Sequence, residues 1–421
     1  MARTVPPMSA PATIERRTVE LAQLRELLLY FLVVTVPLAM GTVVWFSAGG
    51  ANDFNRRVSI SPFDIALALL LAVAVVERRS FGRWRDWTWL TRIAVALGAV
   101  LAIALLAHPS PRGFDVAFRI VAGLAVIDAF VRLSRSSRQR VLAVVVVTGA
   151  VEAVIGMAES AHSGALGISP LEYRGFFYTF GSSTAGHAGF DHPYHLAFFL
   201  LVAIAAAVIG LRAASQRAPW LAGALICSAG IATTYSRAAL VSLAAAVVLM
   251  LFARGSRDRR QTLRLLAVVI TIGFVFGALA FGDGWHAKGQ AASEGGGLDS
   301  DRHLRAEEAL RLVRTEPVFG VGPGRYTIAL ESVQHQVLLP AHNIVLHEAA
   351  EGGVLAGALT VLLLLALLVR GWREGVESLT VFALPALFLV LDAYPYVFPA
   401  GLATSAIWLG IFFSARNHVD V

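Results

Sequence analysis

This sequence predicts an all-α fold: a polytopic integral membrane protein of about twelve transmembrane helices, with residues 1–421 forming a single membrane domain. Apolar runs of about 20 residues recur along the chain, each long enough to cross a hydrocarbon layer as a helix. The composition is 57% hydrophobic and 15% charged, where a soluble domain carries roughly 25% charged residues. The basic residues gather between alternate runs instead of forming a basic domain or tail.

In chain order the runs cover 27–47, 61–76, 88–106, 114–131, 140–156, 193–211, 219–235, 238–253, 264–281, 350–369, 378–392 and 398–414. Arg78, Arg79, Arg83 and Arg85 follow the second run, and Arg132, Arg135, Arg138 and Arg140 follow the fourth. Arg212 and Arg217 follow the sixth, Arg254 to Arg264 separate the eighth from the ninth, and Arg370 and Arg373 follow the tenth. Positively charged loops stay on the cytoplasmic side, which places both termini there, with Arg16, Arg17 and Arg25 at one and Arg416 at the other. Residues 1–22 lack the features of a cleaved leader, so the first run reads as an anchor.

Several classes are excluded. Cys227 is the only cysteine, so a disulfide scaffold is not available. The net charge of +7 is dispersed among membrane-flanking loops, which argues against nucleic acid as a partner and for contact with membrane lipids. No phosphate loop ending in Lys-Ser/Thr occurs, and the cytoplasmic loops are too short for an ATPase domain.

The material outside the membrane lies in two external segments, 157–192 and 282–349, the longer one between the ninth and tenth runs. Chemistry should therefore face outward. In the longer segment, 302–315 fits a helix with Ala306, Ala309, Leu310 and Val313 on one face, ended by Pro317. Gly320-Val321-Gly322-Pro323-Gly324 is a turn-rich crossing, and a second helix starts near His342 and enters the tenth run.

Individual residues leave alternatives open. Arg237 sits at the external turn between the seventh and eighth runs, where arginine is disfavoured; it is a snorkelling or salt-bridged side chain, or part of a phosphate or carboxylate site. Arg302 is a solvated surface residue, or a partner of Arg237, since two guanidiniums can hold a diphosphate through forked hydrogen bonds. His342 is a structural histidine or a base for a sugar hydroxyl. His342, His347 and Glu348 do not form the HExxH zinc pattern. Arg174, His192, His195, Arg305 and Asn343 are further external candidates, and Glu348 and Glu351 either pair with arginine or meet acceptor hydroxyls. Asp64, Asp115, Arg119 and Asp128 form internal ion pairs or mark an ion route, which keeps a secondary transporter as an alternative. Asp392, beside Tyr394, Pro395 and Tyr396, is compatible with a carbohydrate-facing rim.

Taken in order, these pieces resemble the O-antigen ligase and Wzy-type O-antigen polymerase family of bacterial membrane glycosyltransferases, and most of all the ligase. The resemblance covers most of the chain, chiefly 170–370. His342-Asn343-Ile344-Val345-Leu346 followed by Glu351-Gly352-Gly353 looks like the family's HN-x-x-L…E-x-G-x-x-G segment, with Ala356 where the last glycine is expected and Gly357 one residue late. Tyr235-Ser236-Arg237 resembles its Ser-Arg span boundary. Arg302 with Glu316-Pro317-Val318-Phe319-Gly320-Val321-Gly322-Pro323-Gly324 resembles its external loop. Arg174-Gly175 and His192-Pro193-Tyr194-His195 resemble its first external segment more weakly.

The resemblance implies a GT-C-like fold in the bacterial inner membrane with a periplasmic active site. It implies an inverting transfer that needs neither metal nor other cofactor. The donor would be an undecaprenyl-diphosphate-linked glycan and the acceptor the sugar of lipid A-core, as in lipopolysaccharide biosynthesis. In a polymerase the acceptor would be another lipid-linked repeat. Arg237 and Arg302 would bind diphosphate, His342 would be the base, and Arg174, His192, His195, Asn343, Glu348 and Arg305 would contact substrate.

Overall fold

The computed structural model describes residues 11–38, 42–46, 57–77, 88–168, 177–293, 298–331 and 340–415. The first helix, α1 (Pro11–Thr35), is followed by a short antiparallel pair, β1 (Thr42–Phe46) and β2 (Arg57–Ile60), whose register is interrupted between Val43 and Trp45. Helices α2 (Pro62–Val76), α3 (Trp89–Ala107), α4 (Pro111–Val131) and α5 (Arg135–His162) come next. A two-residue pair, β3 (Thr179–Phe180) and β4 (Ser183–Thr184), precedes α6 (Pro193–Ala213), α7 (Ala218–Thr233), α8 (Arg237–Leu251) and α9 (Arg257–Ala280). Three helices, α10 (Gly282–Ser293), α11 (Leu298–Thr315) and α12 (Tyr326–Glu331), occupy the long external segment. The chain then forms α13 (Ile344–Glu374), α14 (Val376–Leu391), α15 (Tyr394–Val397) and α16 (Pro399–Ser414).

Five of these helices are long and apolar enough to cross a membrane: Trp89–Ala107, Arg135–His162, Pro193–Arg212, Arg257–Ala280 and Ile344–Glu374. Shorter apolar helices stand at Pro62–Val76, Ala218–Thr233, Arg237–Leu251, Val376–Leu391 and Pro399–Ser414. The architecture is consistent with an all-α polytopic membrane protein. The first apolar run differs from expectation: its helix ends at Thr35, and residues 42–46 pair as a strand instead. β-branched Thr42, Val43 and Val44 next to Trp45 and Phe46 suit a pleated strand better than a helix.

α6 has no polar stripe, and a helix apolar on every side belongs in an interior. It is 94% buried across its apolar window and is packed by α5, α7, α14 and α16. α3 stands at the edge, only 17% buried, against α13. Outward-facing side chains such as Phe276 and Leu279, 68% and 79% exposed, form an apolar exterior.

Charges within α4 are matched. Arg119 bonds Asp64 at 3.0 Å and also pairs with Asp115, while Arg112 reaches Asp115 at 2.8 Å. This is the internal ion-pair arrangement, and it locks α2 to α4. The helix ends then sort into two groups. At one end, Arg140 pairs with Glu26, Arg217 with Asp258, Arg259 with Glu377 and Arg370 with Glu374. The other end collects the start of α6, the turn between α7 and α8, α10 to α12, the start of α13 and the end of α14.

α11 extends over the expected helix, but its buried face is rotated. Arg305, Glu308, Ala309 and Leu312 are buried, while Leu310 is 41% exposed. Ala309 and Leu312 pack with Val321, Tyr326, Leu330, Ala341 and Ala350 in a small separate core.

Candidate active site

The stretch from His342 to Gly353 is organised by its own backbone. Asn343 caps α13: its side-chain oxygen accepts from the Val345 and Leu346 amides at 2.9 and 3.1 Å, and its Nδ2 donates to the Val390 carbonyl at 2.9 Å. Asparagine is a preferred cap because its short amide reaches these unpaired donors. The last contact ties the head of α13 to the tail of α14, which brings His342 to Asp392. His342 Nδ1 donates to Asp392 Oδ1 at 3.1 Å, and Asp392 is buried while His342 keeps partial access. An imidazole that donates through Nδ1 to a carboxylate carries its lone pair on Nε2, oriented and ready to accept a proton.

Arg302 joins from α11. Its Nη2 lies 3.8 Å from Asp392 Oδ2, so one buried carboxylate orients the imidazole and restrains a guanidinium. Arg237 is the first residue of α8, after Ser236, whose side chain accepts from the Ala239 amide. An arginine at a helix start adds its charge to the positive end of the helix dipole, a setting that favours an anion. Arg237, Arg302 and Asp392 all lie within electrostatic range of both the Tyr194 hydroxyl and Lys288. His342 lies within range of His192. The three residues expected to do the chemistry therefore share one end of the helix bundle.

The weaker candidates divide. His192 is the cap of α6, its Nδ1 accepting from the Tyr194 amide at 3.0 Å. Burial, with the neighbouring His195, His187 and Lys288, holds its ring well below the usual histidine range, so it stays neutral. His195 is buried against Asp191 and the Phe398 ring. Arg305 is buried and pairs with Glu308 at 2.8 Å. Glu348 is also buried, bonded by Tyr396, in a small cavity with Arg112, Tyr326, His347 and Glu351. Arg174 lies outside the described residues.

Glu351 and Gly353 join the two longest motifs. Glu351 accepts from the Gly324 amide at 2.8 Å and the Tyr326 amide at 3.1 Å, so its carboxylate latches the glycine-rich loop and starts α12. The Val321, Gly322 and Val354 amides add bonds to Ala350, Glu351 and Pro317 carbonyls, each at 2.9 Å. Gly353 breaks α13 at φ 81 and ψ 175 to admit the loop. A Cβ there would sit 2.3 Å from the Val318 carbonyl oxygen. Gly353→Ala should therefore lose about 1–3 kcal/mol from backbone conformation alone. Thermal unfolding in detergent checks this, with Gly98→Ala, where a Cβ meets nothing within 4 Å, expected to unfold like wild type.

Sequence reasoning missed Lys288 and undervalued Asp392. Lys288 is the only lysine among 35 basic residues, a signal visible in composition alone. Glu152 and Glu159 were also missed. On α5 they accept from the amides of Gly189 and of His187 and Ala188, at 2.7–2.9 Å, holding the first external segment over the bundle. Among the described residues, no group of three or more His, Cys, Asp or Glu side chains is placed to hold a metal ion.

No curated protein matches the chain. Residues 222–361 match the family model described as O-antigen ligase. The matched stretch contains Arg237, Lys288, Arg302, the loop latched by Glu351, and His342 with its capped helix, while Asp392 is supplied from beyond it. Over that stretch, a third of the chain, the protein is similar to the O-antigen ligase family, which supports the resemblance read from its motifs.

Proposed function

We propose that this protein is an O-antigen ligase-like glycosyltransferase of the bacterial inner membrane. It moves a preassembled glycan from undecaprenyl diphosphate to a sugar hydroxyl of lipid A-core, on the periplasmic side. The observation that carries the reading is the His342–Asp392 pair, 3.1 Å apart, next to Arg302 and on the same end of the bundle as Arg237. The arginine-rich helix ends lie opposite and support cytoplasmic termini under twelve crossings.

The steps follow from these groups. His342 Nε2 accepts the proton of the acceptor hydroxyl as its oxygen attacks the anomeric carbon of the donor glycan. The bond from that carbon to the diphosphate oxygen breaks, and its electron pair leaves with undecaprenyl diphosphate. Attack opposite the leaving group inverts the anomeric configuration. Asp392 stabilises the imidazolium that forms, and Arg237 and Arg302 meet the negative charge gathering on the leaving oxygens. This division of labour needs one base and two forked cations.

A Wzy-type polymerase would use the same groups with a second lipid-linked repeat as acceptor, and the family covers both. Reconstitution with undecaprenyl-diphosphate-linked glycan separates them. A single transfer to lipid A-core is the expected result. Chain elongation without lipid A-core would replace the ligase reading by the polymerase reading, and solute flux without glycan transfer would remove both in favour of a transporter.

A further inference from the structure

A buried lysine lies within electrostatic range of the two arginines, and its contacts are specific. Lys288 is 3% exposed. Its Nζ donates to the Tyr235 carbonyl at 2.5 Å and to the Tyr194 hydroxyl at 3.4 Å, and lies 4.6 Å from the centre of the Phe180 ring. The Tyr235 carbonyl belongs to the turn that carries Arg237. Tyr235 has φ 51, in the left-handed region that a bulky residue occupies only under constraint. Helix α10 supplies the constraint. Trp285 Nε1 donates to the Ala232 carbonyl at 3.0 Å, and Gly284 packs so closely that a Cβ there would sit 2.2 Å from the Tyr235 ring. Lys288 completes the clamp one turn later.

The charge is as telling as the geometry. The groups acting on Lys288 are Arg237 from α8, Arg302 from α11 and Asp392 after α14. His192 at the head of α6 also lies within range, and Asp283 acts on the adjoining Tyr235. Burying an ammonium beside two guanidiniums is unfavourable, and Asp392 brings one negative charge to these three cations, so the set favours a further anion. A packing role alone would be served by an uncharged side chain of the same length.

We propose that Lys288 is a positioning residue of the lipid-diphosphate site: its ammonium, held between the Tyr235 carbonyl and the Tyr194 hydroxyl, fixes the turn bearing Arg237 and adds a third positive charge for the diphosphate. The inference rests on the diphosphate reading above. Burial, then Arg237 and Arg302, push the lysine down to about 7, so its charge is present below that pH and lost above it. An anion favours the charged form, so the transition shifts upward when the diphosphate is bound. Diphosphate affinity should therefore fall as pH rises through and beyond this range.

The experiment measures binding of undecaprenyl diphosphate to the purified full-length chain at pH 6 and pH 9. It compares wild type with Lys288→Met, Lys288→Arg and Arg237→Ala, each checked for an unchanged unfolding temperature. Wild type should bind about tenfold more tightly at pH 6 than at pH 9, the scale of one charge-assisted contact. Lys288→Met should bind weakly at both pH values, and Lys288→Arg should restore binding that lacks the added pH slope. Histidine contributions are common to all four proteins, so the difference in slope reads Lys288. Wild-type affinity and slope in Lys288→Met, with binding lost in Arg237→Ala, would overturn the role of Lys288 and leave the diphosphate site standing. Undiminished binding in Arg237→Ala would overturn the diphosphate reading itself.

Discussion

Replacing His342 by alanine is expected to lower glycan transfer by about 10²- to 10⁴-fold, the range supplied by a positioned base. Donor binding and unfolding temperature should stay near wild type, because His342 precedes α13 and the helix is capped by Asn343. Asp392→Asn should fall by a similar order for a different reason. The carboxylate can only accept from Nδ1 and so keeps the lone pair on Nε2, while an amide can present an N–H to Nδ1 and favour the opposite tautomer. The two losses should not add, since either one removes the same base. Transfer assays on the single and double variants check this. Full activity in His342→Ala would reject the named base, whatever the behaviour of Asp392→Asn.

The second large effect concerns the arginines. Arg237→Ala and Arg302→Ala should each reduce transfer by about 10²- to 10³-fold, as expected for removing a donor aimed at developing charge. Their signatures should differ. Arg237 stands at a helix start, a setting that favours an anion, so its loss should weaken donor binding as well as turnover. Arg302 lies 3.8 Å from Asp392, so its loss should also disturb the carboxylate that orients His342. Lysine should rescue neither fully, because a point charge cannot reproduce a forked contact to two phosphate oxygens. Donor KM and kcat measured for Ala and Lys variants separate these effects. Equal KM for Arg237→Ala and wild type would remove Arg237 from the donor site.

Much of this molecule is legible in its residue pattern, because a helix in hydrocarbon must be apolar over most of its length, its few charges paired as Arg119 is with Asp64 and Asp115. The runs from 61–76 onward fall on helices for that reason. The exception, 42–46, is apolar too, and hydropathy does not distinguish a strand from a span. In α11 the apolar residues suggested one face, but the Arg305–Glu308 pair buries the neighbouring face, and a matched pair has no hydropathy signature. His342 and Arg237 stand out by type and place. Asp392 gains meaning only when α13 and α14 fold side by side, joined by the contact of Asn343 with Val390, 47 residues apart. Lys288 was visible as a lone lysine, but the Tyr235 carbonyl it meets lies 53 residues away.

The enclosure of α6 has a mechanical consequence. Its head, capped by His192 and braced by His195 and Asp191, forms part of the wall on which Tyr194 and Lys288 meet. Thinning or stiffening of the surrounding bilayer acts first on peripheral rods such as α3, which can tilt with little loss of packing. The wall where Tyr194 and Lys288 meet hangs instead from an axle buried among neighbouring helices, so it should respond less to the thickness of the membrane than α3 does.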